Sequence, residues 1–324
     1  MNHELLSKVV ALTEIDGVGN KRALELYRYF SDLETLFNSP LSAFEEFHFI
    51  DAAAHKQLQT LDTTIEEYSR LFEDCEADGI DIIGFEDDLY PSQLLDYHAP
   101  LVLYARGNGE LLTRPSVSFT GSRETNADGQ AWTIETSKQI AEGGYVIVSG
   151  GAIGADTAAH EGALDKDGAT VVVLGTGIRR PYPEENTDLF ETIVENGGTI
   201  VSHRRPEAGP SRAGFLHRNK TNSGLSRGLI VVATDGSGGT MSQYNDAKSQ
   251  EKQIFFPDPS LGIEPSAGIS RIASETDSIA IQSGEDIIDW YQRAAEPDQK
   301  STDPSKSSNR SESSKDEQRT FDEY

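Results

Sequence analysis

The chain has 324 residues, 36% of them hydrophobic and 25% charged, with 54 acidic side chains against 28 basic ones and a formal net charge of −26. That length supports a main domain with its own core plus something smaller, and the single cysteine, Cys75, excludes an intrachain disulfide or a cysteine zinc cluster. No apolar run approaches the roughly 20 residues that cross a bilayer, and MNHELLSKVV lacks the basic stretch and unbroken apolar core of a secretory signal, so the expectation is a cytoplasmic protein without a membrane partner.

Residues 1–75 read as a small helical domain, with apolar residues at helical spacing in Leu5, Leu6, Val9, Val10 and Leu12 and again in Leu24, Leu26, Tyr27 and Phe30. Inside it, Ile15-Asp16-Gly17-Val18-Gly19-Asn20-Lys21-Arg22-Ala23 has the form of a helix-hairpin-helix turn. There Gly17 and Gly19 would let backbone N–H groups face a phosphate, with Lys21 opening the next helix; a hairpin that only packs on its neighbours fits equally well.

From about residue 80 the pattern becomes short apolar runs separated by glycine-bearing turns. Strands are expected at SVSFTG (116–121), YVIVSG (145–150), ATVVVLG (169–175), GTIVS (198–202), GLIVVAT (228–234) and KQIFFP (252–257). Helices are expected near 126–142, 155–166, 185–196 and 240–250, with a short one around 285–293. Continuous apolar strands alternating with helices are the pattern of an α/β fold, an extended Rossmann-like parallel sheet covered on both faces. This domain is taken as 76–295. Residues 296–324 hold almost nothing apolar before Phe321 and are expected to be a disordered polar tail.

Open parallel sheets bind ligands beyond the carboxyl ends of their strands, and here glycine occupies almost every loop at those ends. Thr120-Gly121-Ser122-Arg123 follows the first strand and Ser149-Gly150-Gly151-Ala152-Ile153-Gly154-Ala155-Asp156 the second. Gly175-Thr176-Gly177 and Asp235-Gly236-Ser237-Gly238-Gly239-Thr240 complete the set. Without Cβ atoms such loops let an anion approach the backbone. None ends in the Gly-Lys-Ser/Thr of a phosphate-binding loop, so hydrolysis of that type is unsupported.

The acidity alone argues against a nucleic-acid partner, yet it is spread along the chain, as in a surface tuned to a salty cytoplasm where repulsion is screened within a few Å. Against it stand Arg204, Arg205, Arg212, Arg218, Lys220 and Arg227, with Glu207 as the lone acid among them. Arg123, Arg179 and Arg180 lie in the glycine loops and are expected at the same rim. Positive charge beside N–H-rich loops is what a polyanionic strand requires. Asp156 and His160, four apart on a helix, could share a metal, but a capping aspartate with a hydrogen-bonded histidine is the simpler reading. No acid or histidine is placed to activate Ser122, Ser149 or Ser237, so no catalytic residue and no cofactor is assigned.

Taken together these segments resemble the DNA-processing protein A (DprA/Smf) family from about Tyr90 to Gly268. Tyr90-Pro91 and PLVLYARG (100–107) look like its opening segment, and TGSRETNADG its Gly-Ser-Arg turn. SGGAIGADTAAHEGAL, VVVLGTGIRRPYPEEN, FLHRNKTNSGLSRGLIVVAT and GSGGTMSQYNDA follow in the family's order. The resemblance implies a non-catalytic protein that binds single-stranded DNA in uptake and recombination, forms a homodimer and helps load a RecA/RadA-type recombinase. DNA contacts would fall on Ser122, Arg123, Gly151, Arg218, Asn219 and Lys220, with Gly121, Arg179 and Ser237 completing the rim. Lys220 stands where the family has arginine, which loses a bidentate fork on phosphate; Ser202-His203 replaces a typical Ser-Glu. Two rivals remain: a lonely-guy-type enzyme acting on nucleotides, whose glutamate is missing from Gly236–Gln243, and a nucleotide-sensing defence module on the same rim.

Overall fold

In the computed structural model, which describes residues 2–97, 100–165, 169–275 and 277–295, apolar stripes at helical spacing produce five helices at the start of the chain. They are α1 (His3–Ala11), α2 (Asn20–Tyr29), α3 (Leu33–Asn38), α4 (Ala52–Leu58) and α5 (Asp62–Ala77). Side chains set several of their starts: Asp32 accepts from Thr35 N–H at 2.7 Å and Asp51 from the N–H groups of Ala53 and Ala54 at 2.9 Å. On α5 the buried stripe is Tyr68, Phe72 and Cys75, spaced four and three apart.

The rest of the chain runs β1 (Asp81–Gly84), β2 (Val102–Gly107), β3 (Ser116–Thr120), α6 (Ala127–Glu142), β4 (Val146–Ser149), α7 (Ala155–Leu164) and β5 (Thr170–Leu174). It continues through α8 (Thr187–Glu195), β6 (Thr199–Ser202), α9 (Arg212–Leu225), β7 (Gly228–Val231), α10 (Gly238–Ser249), β8 (Gln253–Pro257), α11 (Ala267–Ala273), β9 (Ser278–Ile281) and α12 (Gly284–Ala295). The nine strands form one sheet in the order β1-β2-β6-β5-β4-β3-β7-β8-β9. From β6 to β9 all neighbours are parallel, while β2 pairs antiparallel with both β1 and β6.

All six expected strands are β3 to β8. Their residues are buried on both sides because α6, α7 and α8 cover one face and α9 and α10 the other. Two helices were not expected, the short α11 and the longer α9. On α9 the residues turned inward are Gly214, Arg218, Thr221, Asn222 and Leu225, so its helical repeat is polar where a helix normally shows an apolar stripe. It starts where Ser211 Oγ accepts from Gly214 N–H at 3.0 Å. The serines of β3 meet it: Ser118 Oγ donates to the Asn222 carbonyl at 2.8 Å and Ser116 Oγ to that of Leu225 at 2.9 Å.

One hydrophobic core runs from Leu6 and Phe72 of the N-terminal helices through Leu103 of β2 to Val172, Phe190 and Val201. The expected tail, 296–324, lies outside the described residues.

Candidate nucleic-acid interface

β3 is the strand at which the sheet order turns: the chain builds outward through β4, β5 and β6 on one side and β7, β8 and β9 on the other. Loops leaving β3 and β7 therefore part to opposite faces, and the crevice between them is where open α/β sheets hold ligands. A cavity of about 470 Å³ sits there, walled by the loops after β3, β4 and β7, by Tyr182 and by α9.

Close backbone approach builds it. Ser122 N–H donates to the Ala233 carbonyl at 2.8 Å, tying the β3 loop to the β7 loop. A Cβ on Gly121 would come within 2.5 Å of the Ala155 Cβ, so only glycine lets α7 begin beside that loop. Asp156, in the first turn of α7, turns back into the glycine loop. Its Oδ2 accepts from the N–H groups of Gly150 at 3.1 Å and Ala152 at 3.3 Å and lies 3.9 Å from Arg218 Nη1.

Arg218 is 9% exposed, an unusual state for a guanidinium. It fits only because residue 150 is glycine, since a Cβ there would stand 1.0 Å from its Nη1. Burial pushes its pKa down and the Asp156 charge pushes it back; burial likewise raises the Asp156 carboxyl against the pull of Arg218 and the two N–H groups. The hydrogen-bonding capacity of Arg218 is barely used: Nη1 reaches the Val173 carbonyl at 3.4 Å and Nε has no partner. Arg123, exposed at the mouth, adds a second positive charge and makes no ion pair among the described residues.

The fourth wall is the start of α10. Its cap residue Ser237 gives both its N–H and its hydroxyl to Asp235 Oδ1 at 2.8 Å, which lowers that carboxyl's pKa. No side chain caps α10, so the N–H groups of Gly238, Gly239 and Thr240, which a helix's first turn leaves without intrahelical acceptors, line the cavity. Asn219, 5% exposed, bonds the Gly239 carbonyl at 3.2 Å and fixes that turn against α9. The cavity also carries the carboxylates of Asp156, Asp235 and Glu185. Asp156 accepts loop N–H groups on Oδ2 and Asp235 on Oδ1, and so both act as braces.

The structure thus gathers Gly121, Ser122, Arg123, Arg218, Asn219 and Ser237 around one cavity and separates three other expected residues from it. Gly151 is buried behind the loop, at φ +69°, with its carbonyl accepting from Asn186 Nδ2 at 2.9 Å. Lys220 is exposed on α9 outside the cavity lining, where its charge offsets the burial that raises Asp246. Arg179, expected at the rim with Arg180, instead reaches α5, donating to the Asp74 carbonyl at 3.1 Å and pairing with Asp78 and Glu207. The basic segment also divides: Arg205 lies over the Tyr68 ring at 4.8 Å, and Arg227 precedes β7 at the opposite end of the sheet.

Gly17, at φ +80°, and Gly19, the residue before α2, lie in the connection that leads into α2. The Gly17 carbonyl accepts from Arg22 Nη1 at 2.5 Å, while Lys21 lines a separate cleft with Phe47 and Leu101. Asp156 turns into the glycine loop and His160 toward Thr170, and no group of three or more candidate metal ligands occurs among the described residues. His160 Nδ1 lies 2.8 Å from Thr170 Oγ1. That hydroxyl donates to the Ile147 carbonyl, so Nδ1 carries the proton, and burial drives the ring's pKa down to about 3. His203, beside Thr221 Oγ1 at 3.2 Å, is likewise held neutral.

Sequence reasoning missed the aromatic wall, Tyr182 and Phe215, whose ring centroids lie 5.7 Å apart. A signal existed, since Phe215 stands three residues before Arg218 and so shares its helix face. Tyr182 lay within the family-like segment VVVLGTGIRRPYPEEN but was given no role there.

An open, mainly parallel sheet with N–H groups and two guanidinium groups gathered at its turning point defines a Rossmann-like fold with its candidate site at the switch of strand order. Within that class the chain belongs to the DNA-processing A family: residues 81–292 match the family model of DNA recombination-mediator protein A. It is 34% identical over 203 residues to the DNA processing protein DprA of Streptococcus pneumoniae, covering 62% of this chain and 71% of that protein. It is 32% identical over 213 residues to DprA of Bacillus subtilis, covering 65% and 71%. Among solved structures, DprA of Streptococcus pneumoniae superposes with a TM-score of 0.72 at 26% identity, covering 89% of this chain and 98% of that one. DprA of Helicobacter pylori, described for its single-stranded DNA binding mode, superposes with a TM-score of 0.59 at 27% identity, covering 66% and 96%.

Proposed function

We propose that this chain binds single-stranded DNA in the cavity beyond β3 and β7, acts in DNA uptake and recombination without catalysing a reaction, and works as a homodimer that delivers the strand to a RecA/RadA-type recombinase. The observation that carries the DNA reading is Arg218, a buried guanidinium with most of its donors unspent, opposite the uncapped first turn of α10. Both are arranged for a phosphate. Arg123 would hold a neighbouring phosphate at the mouth, and Tyr182 and Phe215 offer a face to a base. Residues 76–295 would carry this binding. Residues 1–75 would be an accessory domain whose Gly17–Lys21 turn adds a second backbone contact.

The test is a titration of the full chain with single-stranded oligonucleotides, duplexes and mononucleotides at several potassium chloride concentrations. Single strands should bind more tightly than duplexes, and log K should fall with log salt by about 0.7 per phosphate neutralised. A mononucleotide binding as tightly as an oligonucleotide would favour the sensing alternative, for which the cavity's volume of about 470 Å³ is large enough.

A further inference from the structure

The arginine that leaves the rim does something there. Gly177 N–H donates to the Ala208 carbonyl at 2.7 Å and Arg179 N–H to that of Pro206 at 3.1 Å, so the segment after β5 is sewn to the segment after β6. The Arg179 guanidinium then fastens both to the end of α5, through the Asp74 carbonyl and the Asp78 carboxylate, with Glu207 at 3.4 Å on its other side. Three residues further on, Tyr182 enters the cavity wall against Phe215. The fit is close where this segment starts, because a Cβ on Gly175 would stand 2.4 Å from the Phe215 ring.

We propose that Arg179 is a positioning residue: through Asp78 and the Asp74 carbonyl it couples the N-terminal helices to the aromatic wall of the cavity, and it touches no phosphate itself. The inference rests on the DNA reading above for its effect on binding, but not for its effect on the 175–183 segment.

The sign of one substitution separates the two roles. Asp78→Asn removes a negative charge from a chain of −26, which by general electrostatics should tighten binding to a polyanion. If Asp78 acts by holding Arg179, the same change weakens binding. Arg179→Gln and Asp78→Asn are expected to weaken single-strand binding by a similar factor, roughly 2- to 30-fold, and the double variant by no more than either. The salt slope should stay that of the parent, and the melting temperature should barely move because the pair is partly exposed. Unchanged or tighter binding by Asp78→Asn overturns the proposal, as does a slope for Arg179→Gln reduced by about 0.7, the mark of a lost phosphate contact. A parent chain that binds no single strand refutes the DNA reading alone. Hydrogen exchange at Gly177 and Arg179 then decides, being faster in both variants if the clamp exists and unchanged if it does not.

Discussion

Replacing Arg218 with methionine tests the site at its centre. Methionine fills much of the same volume without charge, so the change isolates the guanidinium. Two effects should separate. Asp156, 7% exposed, loses its counter-charge but keeps its bonds to Gly150 and Ala152. Breaking a buried ion pair from one side typically costs about 3–5 kcal/mol; a separation of 3.9 Å and two surviving hydrogen bonds put this one near the lower end, about 3 kcal/mol. Urea unfolding, read at the midpoint with an unchanged slope, measures it. Adding Asp156→Asn should recover much of that loss, because no uncompensated charge remains. DNA binding should behave oppositely, falling in the single variant with a salt slope lower by about 0.7 and staying low in the double. If Arg218→Met keeps both its stability and its salt slope, the guanidinium neither braces Asp156 nor meets a phosphate, and the argument for the cavity collapses.

Other outcomes follow from the same geometry. Gly150→Ala should copy the binding loss of Arg218→Met, since its φ is not among the positive ones and the three atoms nearest the new Cβ all belong to the guanidinium; retained affinity in titration would contradict this. Tyr182→Ala should cost about 1–3 kcal/mol of single-strand affinity without changing the salt slope, if a base stacks on that ring. His160 has a folded pKa of about 3, below its ordinary value of 6.5, so between those pH values the unfolded chain binds the extra proton. Its contribution to stability is complete above pH 6.5 and is lost as pH falls toward 3, by up to about 1.4 kcal/mol per pH unit. His160→Asn should flatten the chain's acid-unfolding curve in that window, and an unaltered curve would mean that folding leaves the ring's pKa where it is in the unfolded chain.

The sequence revealed the sheet's centre because β3 to β8 lie between two helical layers and must be apolar on both sides, a pattern that needs no partner to be recognised. It concealed α9 for the opposite reason: Arg218, Asn219 and Asn222 are buried together, so the helix shows no apolar stripe. β9 was hidden by exposure, with only Ile281 of its four residues buried, and β1 and β2 by their place outside the alternating pattern of strand and helix. At the site, glycine spacing located the loops, because those glycines are where chain meets chain. The destination of Arg179 could not be read, since its partner Asp78 lies 101 residues upstream and salt pairs leave no periodic trace. The same holds for Lys220 and Gly151, whose motif neighbours reach the cavity while they do not.

The antiparallel turn at β2 has a consequence for how this protein behaves at high concentration. Were β6 the last strand, a buried apolar row with unsatisfied amides would face solvent and invite another chain to add itself. The β1–β2 pair covers that row, and what remains outermost is four residues long and begins with Asp81. A charged and very short border makes a poor template for self-association. Shortening the chain to begin after β2 would uncover β6, and aggregation, before any loss of ligand binding, is the first defect such a truncation should show.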